Sequence, residues 1–399
     1  MTALKFDIVM FSTADWTARY WTNKQHTAAR LAARGHRVLY VETVGLRRPG
    51  FNKMDIGRLW RRFKRGLAPI AQVQDNLWVL SPLTVPVGQG NPAISAFNRW
   101  RLSARIGSWL RRHRVRHPLI WTHHPFMLNV ANALEPSMMV YHCVDDLGAI
   151  PGVDRAAFDI AERRLLERVE LAFATSPYLQ RRCAAIAGDR AHYFGNVADI
   201  VHFAGARHKT DLPAELAVIP RPRLGYIGVL SDFKIDFALL EDLIGAHRDW
   251  QFVFIGEERE GQGSQAVARL KRQPNAHFLG WRSYEQLPKY LGGIDVGLLP
   301  QLINDYTRAM FPMKFFEYLA AGLPVVSTPL PALSDLGAHH GVASGPIQFA
   351  EAISAALSGR GPQAPAIADP LLQANSWDAR LDSMMQLIEA SLHAGLSEN

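Results

Sequence analysis

The sequence contains very little cysteine: Cys143 and Cys183 are the only two in 399 residues. Two cysteines cannot build the disulfide framework of a small secreted protein or a cysteine-rich metal site, and their scarcity is typical of a reducing compartment. No apolar run approaches the roughly 20 residues that cross a bilayer, and the stretch 6–11 is too short for a signal-peptide core. We therefore expect a cytoplasmic protein.

Internal repeats and low-complexity tracts are also missing, which argues against a solenoid or a disordered chain. With 48% hydrophobic residues the chain can bury more than one core, so we expect about two domains. Short apolar runs alternate with helical patterns, which predicts parallel sheets linked by crossover helices. The predicted fold class is α/β, with two doubly wound Rossmann-like domains that face a cleft.

The apolar runs define two series of predicted strands, separated by a proline-rich region of little periodicity. The strands are residues 5–11, 37–42, 77–80, 119–122, 138–144, 171–175 and 192–194, then 223–228, 251–255, 277–280, 294–299 and 324–327. We predict an N-terminal domain over residues 1–208, a linker over 209–222, a C-terminal domain over 223–375, and a helix over 376–399 that crosses back to the first domain.

The net charge of +8 is concentrated in two segments, residues 46–67 and 97–117. The first has eight Lys or Arg and one Asp, and the second has seven Arg and no acid, so together they carry +14 and the rest of the chain −6. Tryptophan and other apolar residues recur at helical spacing in both, which is typical of an interfacial membrane anchor. The predicted membrane contacts are Trp60, Arg61, Arg62, Phe63, Arg65, Trp100, Arg105, Trp109 and Arg112. Core-packed helices with a solvated basic face are the alternative, and a nucleic-acid surface is a weaker one.

Residues 311–328, FPMKFFEYLAAGLPVVST, predict a short helix followed by a buried strand. Pro312 suits the first helical turn, and Gly322 suits the position just after the helix. Lys314 and Glu317 share one helix face, where the lysine and the unpaired N–H groups favour an anion and the glutamate suits the hydroxyls of a ribose. This pattern predicts a nucleotide diphosphate site. An ordinary amphipathic helix with a solvated Lys and Glu is the alternative.

Polar residues follow most of the predicted strands, at the sheet edge where open α/β proteins bind ligands. They are Ser12, Thr13, Asp15, His123, His124, Asp145, Asp146, Lys234, Glu257, Glu258, Lys314 and Glu317. Because His123 and His124 are adjacent, at most one of them faces the cleft.

Structural roles are open at several of these positions. The histidines can serve the core, Asp15 can cap a loop, and residues 257–258 can form a solvated turn. Asp145 can be an N-cap or a turn residue before a helix that begins near Val153. Since Asp145 and Asp146 are adjacent, they lack the spaced Asp-x-Asp pattern of a metal site, and we expect no metal.

The sequence resembles the GT-B fold glycosyltransferases, in particular the family 4-like group of bacterial envelope and exopolysaccharide assembly. The similarity is strongest over HFLGWRSYEQLPKYLGGIDVGLLP at 277–300 and MKFFEYLAAGLPVVST at 313–328, and weaker over HTAARLAARGHRVLYVE at 26–42, ATSPYL at 174–179 and GNVADIVHF at 195–203. The resemblance implies that the second domain binds a nucleotide sugar. The implied donor contacts are Gly228, Lys234, Glu258, Met313, Lys314 and Glu317.

Two positions depart from the retaining members of that group. The first of their two glutamates corresponds to Ala309, and the basic residue right after the glycine at the end of the first strand of the second domain corresponds to Val229. In contrast, YHCVDDL at 141–147 is similar to the general-base segment of the inverting glucuronosyltransferase of xanthan assembly, and residues 313–314 are similar to its donor-phosphate contact. This local similarity implies that Asp145 is the base of an inverting reaction.

The sequence thus predicts a glycosyltransferase that uses a nucleotide diphosphate-sugar and needs no metal or other cofactor. Its expected acceptor is a lipid-linked or envelope glycan, bound near Asp15, His123 and His124 at the inner face of the cytoplasmic membrane. A GT-B epimerase or hydrolase of nucleotide sugars is one alternative. A non-catalytic basic binding protein is the other.

Overall fold

The computed structural model describes residues 4–42, 68–82, 92–150, 152–208, 211–258 and 263–397. The chain divides into two compact units. The first comprises Met1–Phe194 and Ser383–Asn399, and the second comprises Gly195–Asp382. Residues 195–222, which the sequence analysis divided between the first domain and a linker, belong to the second unit.

The first unit is built on an eight-stranded sheet in the order β3-β4-β2-β1-β5-β6-β7-β8. All neighbouring strands are parallel except β3 and β4, which are antiparallel. The strands are β1 Asp7–Phe11, β2 Arg37–Val41, β3 Ala71–Gln74, β4 Leu77–Leu80, β5 Leu119–Thr122, β6 Met138–Cys143, β7 Leu171–Ala174 and β8 Ala191–Tyr193. Strands such as β5 and β6 are continuously buried, as expected for a parallel sheet covered on both faces.

Five α-helices and three 3₁₀ turns connect these strands within the described part of the first unit. The helices are α1 Asn23–Ala33, α2 Pro92–Arg112, α3 Leu128–Asn132, α4 Arg155–Leu166 and α5 Pro177–Ala187, and the turns are Pro125–Met127, Leu147–Ala149 and Gly188–Arg190.

The second unit has a six-stranded, fully parallel sheet in the order β11-β10-β9-β12-β13-β14. Its strands are β9 Arg223–Ile227, β10 Gln251–Ile255, β11 Ala276–Gly280, β12 Val296–Leu299, β13 Val325–Ser327 and β14 Gly341–Val342. Separate apolar cores cover its two faces, one containing Phe315 and Phe316, the other Leu240 and Ile353.

The helices of the second unit follow the same alternation. They are α6 Ile200–Ala204, α7 Ala214–Ala217, α8 Phe237–Ala246, α9 Gln265–Leu270, α10 Leu287–Leu291, α11 Asp305–Ala309, α12 Lys314–Ala320, α13 Gly345–Leu357 and α14 Pro370–Ala374, with 3₁₀ segments at Gly205–His208, Tyr284–Gln286 and Pro331–His339. The last helix, α15 Trp377–Ser397, begins in the second unit and continues into residues grouped with the first.

The structure confirms the α/β class and all twelve predicted strands to within two residues at each end. The sequence analysis missed β3 and β14. Strand β3 is exposed along its whole length, and its AQVQ sequence has no run of apolar residues that would predict a strand. It is joined to β4 by a tight turn at Asn76, where φ is +60°. Strand β14 has only two residues.

Candidate functional site

In each sheet the strand order reverses at one central strand, so that later strands lie on both sides of it. In the first sheet β1 lies between β2 and β5, and in the second β9 lies between β10 and β12. Ligands of open α/β sheets bind beyond the carboxyl ends of the strands at such points. We call these two regions the first edge and the second edge.

Helix α12 brings a lysine to the second edge. The helix begins at Lys314 after the N-cap Met313 and is followed by Gly322, whose φ of +83° explains the glycine. The predicted stop at Gly322 is confirmed. The predicted start was wrong by two residues, since Pro312 precedes the N-cap and lies outside the first turn.

Lys314 and Glu317 form an ion pair on α12, with 2.7 Å between Nζ and Oε2. The Glu317 side chain is only 3% exposed, whereas that of Lys314 is 27% exposed. Burial raises the pKa of Glu317, and the positive charge of Lys314 opposes that increase. The alternative of a solvated glutamate is therefore wrong. What the second edge presents to solvent is the positive member of the pair.

The segment GNVADIVHF holds the start of α12 in place. The Asn196 amide donates a hydrogen bond to the carbonyl oxygen of Phe311 at 2.7 Å. Asp199 caps α6 by accepting from the backbone N–H of His202, and the His202 ring stacks on Tyr284 with 4.7 Å between ring centroids. The sequence analysis quoted this segment but did not select Asn196, whose partner is 115 residues away.

Two glycines bring the ends of β9 and β10 close together at the second edge. A Cβ atom at Gly256 would collide with the carbonyl oxygen of Gly228, so the backbones can approach only without a side chain there. Gly228 itself has a φ of +150°. The backbones of Gly228 and Gly256 therefore meet at the second edge, and the role of Gly228 as a donor contact stays a prediction.

Lys234 and Glu258, the other predicted donor contacts, are engaged with neighbouring residues. The ammonium of Lys234 lies over the ring of Tyr306, 4.7 Å from its centroid. Glu258 accepts a hydrogen bond from the Ser264 backbone N–H at 2.6 Å and pairs with Lys271 at 3.4 Å, so it fixes the start of α9. Their roles toward a donor stay predictions.

At the first edge the adjacent carboxylates Asp145 and Asp146 have different surroundings. Asp146 is buried and pairs with Arg182 at 2.7 Å and Arg155 at 3.1 Å. Asp145 is 24% exposed, and its Oδ2 accepts a hydrogen bond from the ammonium of Lys24 at 3.3 Å. Of these two carboxylates, Asp145 is the one that a substrate can reach.

Asp145 does not cap the following helix. Helix α4 begins at Arg155, and its N-cap is Asp154, whose carboxylate accepts from the Ala157 backbone N–H at 3.1 Å. This excludes the capping alternative for Asp145. Its role as a base stays a prediction.

His123 and His124 are both buried at the end of β5. The Nδ1 atom of His123 lies 3.1 Å from the carbonyl oxygen of His142, and the two rings are 4.9 Å apart. Among the described residues, neither ring nitrogen of His124 has a hydrogen-bond partner. Burial lowers the pKa of His124 to about 4, so this imidazole is neutral near pH 7.

The loop after β1 joins the first edge to the start of α1. The Asp15 carbonyl oxygen accepts from the Gln25 amide at 3.0 Å, and the Trp16 backbone N–H donates to Glu42 at 2.7 Å. The Asp15 side chain is partly exposed, which is compatible with the predicted acceptor-side role. Lys24, which the sequence analysis missed, follows this loop on α1.

Helix α2 corrects one of the predicted membrane contacts. Trp109 is buried and packs edge-on against Trp78 at 5.5 Å, so it faces the core. Arg105 donates to the carbonyl oxygens of Ser81 at 3.1 Å and Ala68 at 2.6 Å.

The first half of α2 is different, because Phe97 is 47% and Trp100 67% exposed. Arg112 is exposed at the other end of the helix. The remaining predicted contacts, Trp60, Arg61, Arg62, Phe63 and Arg65, lie outside the described residues. Over the described ranges, no helix combines the length and the apolar character that crossing a membrane requires.

Residues 221–359 match the family model of the Glycosyl transferases group 1. The chain is 28% identical over 232 residues to the putative teichuronic acid biosynthesis glycosyltransferase TuaH of Bacillus subtilis strain 168, a match that covers 54% of this chain and 57% of that relative. The chain thus spans little more than half the length of this curated relative.

Solved structures share the architecture of almost the whole chain. Sucrose-phosphate synthase from Thermosynechococcus elongatus superimposes with a TM-score of 0.69 at 16% identity, covering 98% of this chain and 100% of that one. Anabaena Alr3699/HepE in complex with UDP has a TM-score of 0.66 at 15% identity, covering 96% and 100%. The fold is therefore GT-B, and residues 221–359 of the second unit are similar to the Glycosyl transferases group 1.

Proposed function

We propose that this chain transfers a sugar from a nucleotide diphosphate-sugar to a glycan of the cell envelope, and that it inverts the anomeric configuration. The observation that carries the proposal is the partly exposed ammonium of Lys314 at the second edge, which is paired with buried Glu317. An exposed cation at this position suits a diphosphate, whose charge grows as it leaves. The UDP in the HepE structure supports a uridine nucleotide as the donor.

The first unit supplies the base in this proposal. The Asp145 carboxylate accepts the proton of the acceptor hydroxyl while the acceptor oxygen bonds to the anomeric carbon. The bond from that carbon to the diphosphate oxygen breaks at the same time, and its electron pair leaves with the diphosphate. Lys314 stabilises the added charge on the leaving group.

The acceptor is proposed to be a lipid-linked or other envelope glycan at the inner face of the cytoplasmic membrane. The name of the TuaH relative, which refers to teichuronic acid biosynthesis, supports an envelope polymer. The exposed Phe97 and Trp100, whose rings are 6.0 Å apart on an arginine-rich helix, support contact with an anionic membrane surface.

Donor binding is tested by thermal unfolding with uridine, guanosine and thymidine diphosphate sugars. We expect a uridine diphosphate-sugar to raise the melting temperature of the wild type and of the control Lys289→Ala, which removes an exposed lysine on α10, but to have much less effect on Lys314→Ala. Equal stabilisation of all three proteins would remove the donor site from α12.

Transfer is tested with the donor so identified and lipid-linked glycans extracted from membranes. An inverted anomeric configuration of the product by NMR is the expected result. Consumption of the donor at the same rate without any acceptor would favour the hydrolase or epimerase alternative. Salt-dependent binding of random oligonucleotides without nucleotide-sugar affinity would favour the non-catalytic basic protein.

A further inference from the structure

We propose that Lys24 is a positioning residue that orients the Asp145 carboxylate for proton transfer. This inference rests on the proposed function, in which Asp145 is the base. Lys24 belongs to α1 and Asp145 follows β6, so two separate elements of the first unit build the pair. No comparison or sequence motif assigns a role to Lys24.

The difference in burial between the two side chains indicates which one positions the other. The Lys24 side chain is 7% exposed, and its Nζ lies 3.3 Å from Asp145 Oδ2. An ammonium this buried loses most of its hydration and is stable only beside a negative charge. The Lys24 ammonium therefore contacts Asp145 from the buried side, and the more exposed carboxylate can contact a substrate.

The backbone around Lys24 is fixed by several contacts at the start of α1. Thr22 and Gln25 form a capping box, and the Gln25 amide also donates to the Asp15 carbonyl oxygen at 3.0 Å. Two residues after Lys24, the His26 ring packs edge-on against Trp21, with 5.4 Å between the ring centroids. These contacts place the Lys24 ammonium at a defined point of the first edge.

A fixed cation limits how Asp145 can rotate. The carbonyl oxygen of Asp145 accepts from the Leu147 backbone N–H at 3.0 Å in a tight turn, so its Cα is already held. With Oδ2 bonded to Lys24, the direction of the other carboxylate oxygen is set as well.

The test compares Lys24→Met, Lys24→Arg and the exposed control Lys289→Met in steady-state transfer assays. We expect Lys24→Met to lower kcat about 10- to 100-fold with the donor KM within about twofold of the wild type, because the lost hydrogen bond acts on the base alone. Lys24→Arg retains the charge and should recover most of that rate. Lys289→Met should match the wild type. If Lys24→Met does not fold, as judged by its melting temperature, Lys24→Gln replaces it.

A double substitution shows whether Lys24 acts through Asp145. Adding Lys24→Met to Asp145→Asn should change the residual rate by less than about twofold, since the group that Lys24 orients is already disabled. An unchanged kcat in Lys24→Met, a rise in donor KM instead, or a further tenfold loss in the double variant would overturn the inference.

The same assays separate this inference from the proposed function. An inactive Asp145→Asn with a fully active Lys24→Met removes only the role of Lys24. A fully active Asp145→Asn removes the base, and both proposals fail together.

Discussion

The two edges each carry a lysine–carboxylate pair, but the exposed partner differs. At the first edge the lysine is buried and the carboxylate of Asp145 is partly exposed. At the second edge the carboxylate of Glu317 is buried and the ammonium of Lys314 is partly exposed. The same two functional groups therefore present opposite charges to solvent.

This difference shows how burial selects chemistry from one kind of ion pair. A buried cation beside a carboxylate fixes the direction of that carboxylate, and a buried carboxylate beside a lysine holds a cation where an anion can bind. Asp146 shows the third possibility, since its carboxylate is buried against Arg155 and Arg182 and serves the fold. The neighbouring residues Asp145 and Asp146 thus have different surroundings although they are of the same type.

The largest predicted effect concerns the first edge, where the partly exposed partner is the negatively charged Asp145. Replacing Asp145 by Asn should lower kcat by about 10²- to 10⁴-fold, the usual contribution of a general base, and leave donor affinity unchanged. Steady-state rates and calorimetric titration with the nucleotide measure the two effects. Asp145 also neutralises buried Lys24, so the melting temperature of the variant needs to be measured alongside. Wild-type activity in Asp145→Asn would place the base elsewhere.

A second prediction concerns the uncharged imidazole at the first edge. The unfolded chain binds a proton at His124 below about pH 6.5, whereas the folded chain does so only near pH 4. Acid therefore favours the unfolded state over this interval, and the stability that the neutral imidazole permits is lost as the pH falls.

The free energy of unfolding of the wild type falls as the pH is lowered from 6.5 to 4. Replacing His124 by Gln should make this decrease smaller by about 3 kcal/mol. Denaturant unfolding at several pH values measures this change, and exposed His208→Gln is the matched control. His36, whose pKa burial also lowers to about 4, keeps part of the acid sensitivity in the variant. A pH dependence identical to the wild type would mean that His124 is accessible to protons in the folded state.

Much of the second edge could be predicted from the sequence, because its ion pair joins residues that are close together in the chain. Lys314 and Glu317 are three residues apart, so helical periodicity alone places them on one face. The strands that carry both edges are short apolar runs, and the structure confirms them. The pair at the first edge joins residues 121 positions apart, and no periodic pattern connects Lys24 with Asp145.

Other features depended on contacts that a sequence does not specify. Trp109 lies on the apolar side of a basic helix, a pattern that fits a membrane face and a core face equally well, and only the packing of Trp78 decides between them. Asp145 and Asp146 are adjacent residues of the same type after the same strand, so the sequence alone does not distinguish them. The two arginines that bury Asp146 come from α4 and α5, so the distinction required the fold.

The smallest predicted effect tests whether the first unit alone meets a membrane. Substituting Ser for both Phe97 and Trp100 should reduce binding to vesicles that contain anionic lipid by about tenfold, since two exposed aromatic side chains are lost. The control Ile347→Ser removes an exposed apolar residue of the second unit and should bind as the wild type does. Vesicle sedimentation measures both, and equal loss in the two variants would contradict a specific surface on α2.

The most direct test of the opposite roles of the two edges is calorimetric titration of UDP into Lys314→Ala and Asp145→Asn. In the proposed function the partly exposed ammonium of Lys314 makes a charge-assisted contact with the diphosphate, and such contacts are worth about 1.5–3 kcal/mol. Lys314→Ala should therefore bind UDP about 10- to 100-fold more weakly than the wild type. Asp145→Asn should bind UDP as the wild type does. Unchanged affinity in Lys314→Ala, or an equal loss in both variants, would contradict the account.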